Sequence, residues 1–176
     1  MATPNSTNNV TNYNFLSPVG FKFTLARAPN LNYNVQRANL PGIQMSQGRV
    51  PNPLLPIPIT GKITYNSFSV EFKVDEDLNN YLEIHNWMTA LGSDDNFVGY
   101  QTLKNNERTF NHENGLTSDI NLSIMTSAMR PNISVDFKDC FPVDLTDLDM
   151  RVTDTALDYV DARVTFAYLR YDITRF

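Results

Sequence analysis

The residues able to do chemistry are few and scattered. The two histidines, His85 and His112, lie far apart, and neither has a second ligand at metal-binding spacing. His85 falls on the polar flank of a helical stripe, which suits a surface position. The single cysteine, Cys140, sits between Asp139 and Phe141. Acidic neighbours raise a thiol pKa, so this spacing predicts a buried structural thiol rather than a nucleophile. Asp144, Asp147 and Asp149 are spaced like part of a calcium loop. The central glycine and closing bidentate glutamate that such a loop needs are missing. The seven glycines form neither a phosphate-cradling loop nor a dinucleotide turn. No catalytic residue, metal ligand or cofactor site can be assembled, and the expectation is a non-enzyme that needs no cofactor.

The elements that would position these groups are clearer. Phe68, Val70, Phe72 and Val74 alternate with Ser69, Glu71 and Lys73, the period of a half-buried strand. Asp75, Glu76 and Asp77 follow, as suits a helix start. Tyr81, Ile84, Trp87, Met88 and Leu91 then fall at helical spacing, with Leu82 widening the stripe and Gly92 as C-cap. This predicts one helix over about 78–91, packed against mostly β structure. Its polar edge (Asn80, Glu83, Asn86) is expected to face a neighbour, so Glu83→Lys is expected to spare folding.

Further alternating runs occur at Phe21–Leu25, Tyr33–Arg37, Ile120–Ile124, Ile133–Phe137 and Arg163–Ile173. The last is read as one strand, apolar on both faces through Leu169, Tyr171 and Ile173. Ser93–Gly115 reads as a polar surface loop with a short strand near Phe97–Leu103. The count is six to eight strands and one helix. The fold class is therefore mainly β (α+β), an antiparallel sandwich or small barrel with one flanking helix.

With 176 residues the chain is sized for one domain. Residues 1–17 are rich in Asn, Thr and Ser and read as a flexible arm, leaving 18–176 as a single β domain. The two Asn-x-Thr matches near the start are ascribed to chance. No run approaches the roughly 18 apolar residues of a membrane span, and no signal peptide is evident.

Two stretches stand out. In 44–61, Pro51, Pro53, Pro56 and Pro58 interleave with Leu54, Leu55, Ile57 and Ile59. Proline cannot donate to a ladder, which argues against a central strand. The stretch is either a loop folded onto its own core or an extended arm packing on another subunit. The second is an acidic connection over 139–161. Charge is divided unevenly: residues 1–60 carry Lys22, Arg27, Arg37 and Arg49 with no acid, while 136–161 carry eight aspartates against Lys138 and Arg151. This acidic region is either a solvated loop or one of two complementary patches that meet on identical neighbours. Arg37, Arg49, Leu54, Leu55, Ile57, Ile59, Glu83, Asp144, Asp147 and Asp149 are accordingly the candidate assembly interface.

The order of features resembles a known family. Phe21-Lys-Phe-Thr-Leu25 leads to a run ending Ala38-Asn-Leu-Pro-Gly42. The strand Phe68–Val74, the acids and the Trp87 helix closing on Leu91-Gly92 follow, and Val164-Thr-Phe-Ala-Tyr168 ends the chain. Over roughly residues 18–176 this is similar to the tail tube proteins of contractile-tailed bacteriophages, relatives of type VI secretion inner-tube rings. The resemblance implies a virion protein assembled in the host bacterial cytoplasm, with hexameric rings stacked head to tail inside a sheath. Its partners would be itself, the tail sheath protein, and baseplate and terminator proteins. DNA would pass without specific binding, and no membrane would be involved. A tube-like ring at a tail end is the alternative within the family. A carbohydrate-binding sandwich is the alternative outside it.

Overall fold

The computed structural model describes residues 15–92, 97–109, 115–150 and 159–176. They form two antiparallel sheets that share a strand, plus a separate hairpin. The first sheet is ordered β1 (Phe21–Leu25), β6 (Ser118–Met125), β7 (Pro131–Leu145), β9 (Arg170–Arg175). The second runs from the far end of β7 through β8 (Asp161–Ala167) and β5 (Phe68–Lys73) to β2 (Val35–Ala38). The outer strands β1 and β2 do not meet, so the structure is a sandwich and not a closed barrel.

Strand β7 makes this possible by bending. Ser118 pairs with Cys140 but Ile120 pairs with Phe137, so β7 carries an extra residue there. Asp139 takes it up at φ 55°, as a bulge that swings the strand from one sheet to the other. On one side β7 first pairs β9 and then β8. The run read as one last strand is therefore two, broken at Tyr168–Leu169, with one piece in each sheet. The apolar second face expected of it is open: Leu169 and Ile173 are exposed. The acidic connection expected from 139 begins as strand and runs so to Leu145.

The core follows the alternation. Phe23, Leu25, Phe68, Val70, Phe72, Ile120, Leu122, Val135, Phe137, Val164 and Phe166 all point inward and are buried. Phe68 stacks on Phe137 with ring centroids 4.4 Å apart. Helix α2 (Asn79–Gly92) covers one end with Ile84 and Trp87. The Trp87 indole donates to the Leu116 carbonyl (3.2 Å), and the Arg27 guanidinium lies 4.7 Å from its ring centroid. Burial lowers the Arg27 pKa.

Two helices stand where none was expected. Pro29–Asn34, whose end overlaps the extended run expected from Tyr33, is the short helix α1, with Pro29 in its first turn and Leu31 buried. Val98–Thr109 is helix α3 and not a loop with a strand. Gly99 of α3 lies against Ala90 of α2.

The acids before α2 form a turn and not a cap. The Leu78 amide donates to the Asp75 carbonyl (3.0 Å), and Leu78 takes φ 58°. The helix is tied down by Asn80, which is fully buried. Its amide nitrogen donates to the Lys73 carbonyl (2.7 Å), while its oxygen accepts from the Asp75 amide (3.3 Å). Asn80 therefore belongs to the core and not to the helix's solvent edge.

Candidate assembly surfaces

The Pro-rich stretch is a hairpin of β3 (Ile43–Val50) and β4 (Ile57–Tyr65), forming its own two-stranded sheet. It does not fold back onto the core. On β3, Ile43 and Met45 pair with Tyr65 and Ile63, whereas Gly48 and Val50 pair with Ile59 and Ile57. Between these two sets Gly61 and Lys62 stand opposite Ser46 alone, so β4 carries an extra residue, a bulge at which its alternation slips. Ile43, Met45, Ile63 and Tyr65 therefore share one face of the hairpin, and Val50, Ile57 and Ile59 the other.

Side-chain chemistry fixes that bulge. The Ser46 hydroxyl accepts from the Lys62 amide (2.7 Å) and donates to the Lys62 carbonyl (3.2 Å). A Cβ on Gly61 would lie 2.4 Å from the Ser46 Oγ and 2.6 Å from its carbonyl oxygen, so only glycine fits there. Prolines are tolerated because this sheet has only two strands, both of them edges. At the root, Tyr65 packs on Tyr168 and Tyr171 with centroids 5.9 and 5.5 Å away. The Tyr168 hydroxyl donates to the Asn66 carbonyl and the Tyr171 hydroxyl to that of Pro41. Burial pushes the Tyr168 phenol up to about 12, keeping it a donor. The hairpin is fastened to the corner where β8 passes into β9.

Nothing among the described residues covers this blade. Ile43, Met45, Val50, Ile57, Ile59 and Ile63 are all about half exposed, and at the tip Leu54 is 96% and Leu55 73% exposed. Isolated two-stranded hairpins are marginal in water, and exposed aliphatics in this number on one mark an interaction site. The hairpin carries Arg49 and Lys62, and no acid occurs between Ile43 and Tyr65.

The outer face of the first sheet is the opposite case. Lys22 and Thr24 of β1, Asp119, Asn121 and Ser123 of β6, and Ser134, Asp136 and Lys138 of β7 share it with Arg170, Asp172 and Thr174 of β9. No large apolar residue interrupts it. Lys138 pairs with Asp119, whose hydrogen bond is the main cause of its raised pKa. Arg170 lies 3.6 Å from Asp172. Asn121 donates to Ser134 and Asp136, each at 2.6 Å. Three cations face three anions, leaving no excess of either sign.

The expected interface residues divide into groups. Arg49, Leu54, Leu55, Ile57 and Ile59 come together on the hairpin. Asp144, Asp147 and Asp149 line the exposed stretch leaving β7, beside exposed Phe141 and Val143. Arg37 stands apart on the second sheet, where Glu71 lies between it (3.8 Å) and Arg163. Glu83 faces its own chain: its carboxylate accepts from the amide and the side chain of Asn30 (3.2 and 2.8 Å), holding the start of α1. Burial raises its pKa. Sequence reasoning missed Ile43, Met45, Val50 and Ile63. The extra residue of β4 opposite Ser46 breaks the alternation that a strict period-two search needs.

An apolar pocket of about 540 Å³ lies between the start of α2 and the acidic stretch, lined by Val74, Leu78, Leu148, Met150 and Val160. Asp75 and Glu76 also line it. Cys140 is fully buried, and burial, more than its acidic neighbours, pushes its thiol up to about 12. Among the described residues no three His, Cys, Asp or Glu gather as metal ligands, Asp144 to Asp149 included. No described helix is long and apolar enough to cross a membrane.

A sandwich with one wholly polar sheet face and an uncovered apolar blade is the architecture of a subunit built for assembly. Residues 3–174 match the phage tail tube protein family, and the chain belongs to it. It is a structural component of a phage tail tube. No curated protein sequence matches the chain. Among solved structures it is similar to the tube-terminating cap of the anti-feeding prophage. The identity is 12% and the TM-score 0.62, over 98% of this chain and 99% of that one. A chain of the PVC extracellular contractile injection system sheath–tube complex in the extended state matches at 10% identity and TM-score 0.61, over 94% and 95%. One from that system's sheath/tube terminator matches at 10% and 0.58, over 94% and 99%. At such identities these likenesses speak to the fold.

Proposed function

We propose that this chain builds the body of a contractile-tail tube as six-membered rings stacked head to tail, with the polar face of β1-β6-β7-β9 turned to the channel. The carrying observation is the charge balance of that face. A polyanion binds where counterions are released from phosphates by clustered Lys and Arg. Here each sign offsets the other and two ion pairs are already closed, so DNA would slide past without being held. The apolar hairpin serves cohesion between copies. A contact that is not self-complementary closes into a ring or extends into a filament. Sheath, baseplate and terminator proteins are the natural partners, with assembly in the host bacterial cytoplasm and residence in the virion.

The test is electron microscopy of the purified chain at rising concentration, with and without a seeding ring. Six-fold rings or tubes with a hollow centre are expected. A chain that stays monomeric by sedimentation at high concentration, and cannot be seeded, overturns the reading. A single ring that never stacks would make it a tail-end ring. The exposed hairpin aliphatics, with no aromatic among them, speak against the carbohydrate-binding alternative.

A further inference from the structure

The hairpin needs a seat. Among the described residues, exposed apolar side chains gather at the β9 edge (Leu169, Ile173, Phe176), the α2–α3 flank (Leu82, Phe97, Val98), the corner of Phe15, Leu16, Val19 and Met129, and the end of β7 with the residues after it (Phe141, Val143, Met150). Charge favours the last. The hairpin brings Arg49 and Lys62 with no acid. The β9 edge carries Arg170 and Arg175, and the Met129 corner carries Arg130. Both would set like charge against like. The end of β7 and the residues after it carry Asp144, Asp147 and Asp149, and they border the apolar pocket, whose wall includes Asp75 and Glu76.

The tip and the pocket also match in character. Leu54 and Leu55 are the most exposed aliphatics of the hairpin and lie between Pro53 and Pro56. Proline restricts the free loop, so less entropy is lost when the tip is fixed. The pocket, at about 540 Å³, is of a size that takes buried side chains.

We propose that the Leu54–Leu55 tip of one copy inserts into the pocket formed by Val74, Leu78, Leu148, Met150 and Val160 of the next copy, with Arg49 facing the Asp144–Asp149 stretch. This rests on the reading of the chain as a self-assembling tube subunit and names the two surfaces that meet. The contact is heterologous, because tip and pocket are different surfaces.

Two chains, each with one added cysteine, test it: Leu54→Cys and Met150→Cys. Native Cys140 is fully buried and stays silent toward thiol reagents. Each full-length chain is treated with a short bis-maleimide alone, and then the two are mixed. A cross-linked dimer in the mixture, at least tenfold above either chain alone, is expected. In parallel, Arg49→Glu is expected to lower assembly at least tenfold, with Arg49→Glu/Asp147→Arg regaining most of it. Circular dichroism melts check that both variants fold. No mixed cross-link while the unsubstituted chain forms rings overturns the tip-to-pocket contact and leaves the tube reading intact. No rings from the unsubstituted chain sinks that reading instead. A Met150→Cys thiol closed to reagent in the monomer means the pocket is filled from within, and also overturns the proposal.

Discussion

Strand β5 and strand β4 are written in the same alternating code and meet opposite fates. In β5, Phe68, Val70 and Phe72 are fully buried. In β4, Ile57, Ile59 and Ile63 stand about half exposed. The difference lies in what surrounds them. β5 is paired on both sides, by β2 and β8, and faces a second sheet. β4 has one partner and, among the described residues, no layer above it. Alternation therefore states that a face will be covered, without stating by which chain. A domain whose apolar pattern is satisfied in one half and open in the other carries part of its folding information for a neighbour.

Three measurements can break or sharpen this contrast. The largest effect belongs to the covered side. Trp87→Ala empties a buried site that also holds a hydrogen bond, and is expected to cost about 3–5 kcal/mol in denaturant unfolding of the monomer. A loss below about 1 kcal/mol would mean that α2 is not integral to the core.

The second concerns alkaline pH. Cys140 and Tyr168 both have folded pKa values pushed up to about 12, from ordinary values of 9.0 and 10.0. The unfolded chain loses these protons first. Stability is thus fully present below pH 9 and falls as pH rises toward 12. Melting temperature against pH should show this decline, and Cys140→Ala should make it shallower between pH 9 and 10. An identical slope in the variant would remove Cys140 from the explanation.

The smallest effect belongs to the open side. Ile59→Thr is expected to change monomer stability by no more than about 0.5 kcal/mol while assembly falls. A loss near that of Trp87→Ala would show that the hairpin is part of the monomer's core, and the contrast would collapse.

The sequence was most legible where period and neighbours agree. Phe68–Val74, the α2 stripe around Trp87 and the Val164–Phe166 alternation fold as read. The failures have separate physical causes. Helix α3 has Leu103 as its one buried apolar side chain among those described, so its stripe is too thin to show. Strand β7 passes through Asp139 in a left-handed conformation and through inward-facing Pro142, where charge and proline both suggest a loop. Glu83 and Asn80 look like solvent positions on a helical wheel. Their partners, Asn30, Lys73 and Asp75, are set by tertiary approach, which spacing cannot convey. Residues 1–14 and most of the proposed acidic connection beyond Met150 lie outside the described residues.

The bend in β7 has a mechanical consequence. One continuous strand of fifteen residues serves both sheets, so the sheets cannot slide past one another without tearing its ladder on one side. A load applied to the polar face is passed along a covalent backbone to the second sheet, and through the tyrosine cluster at the β8–β9 corner to the root of the hairpin. Each subunit thereby acts as a stiff strut. In a column of such subunits, thrust at one end would arrive at the other as movement and would not be absorbed as deformation.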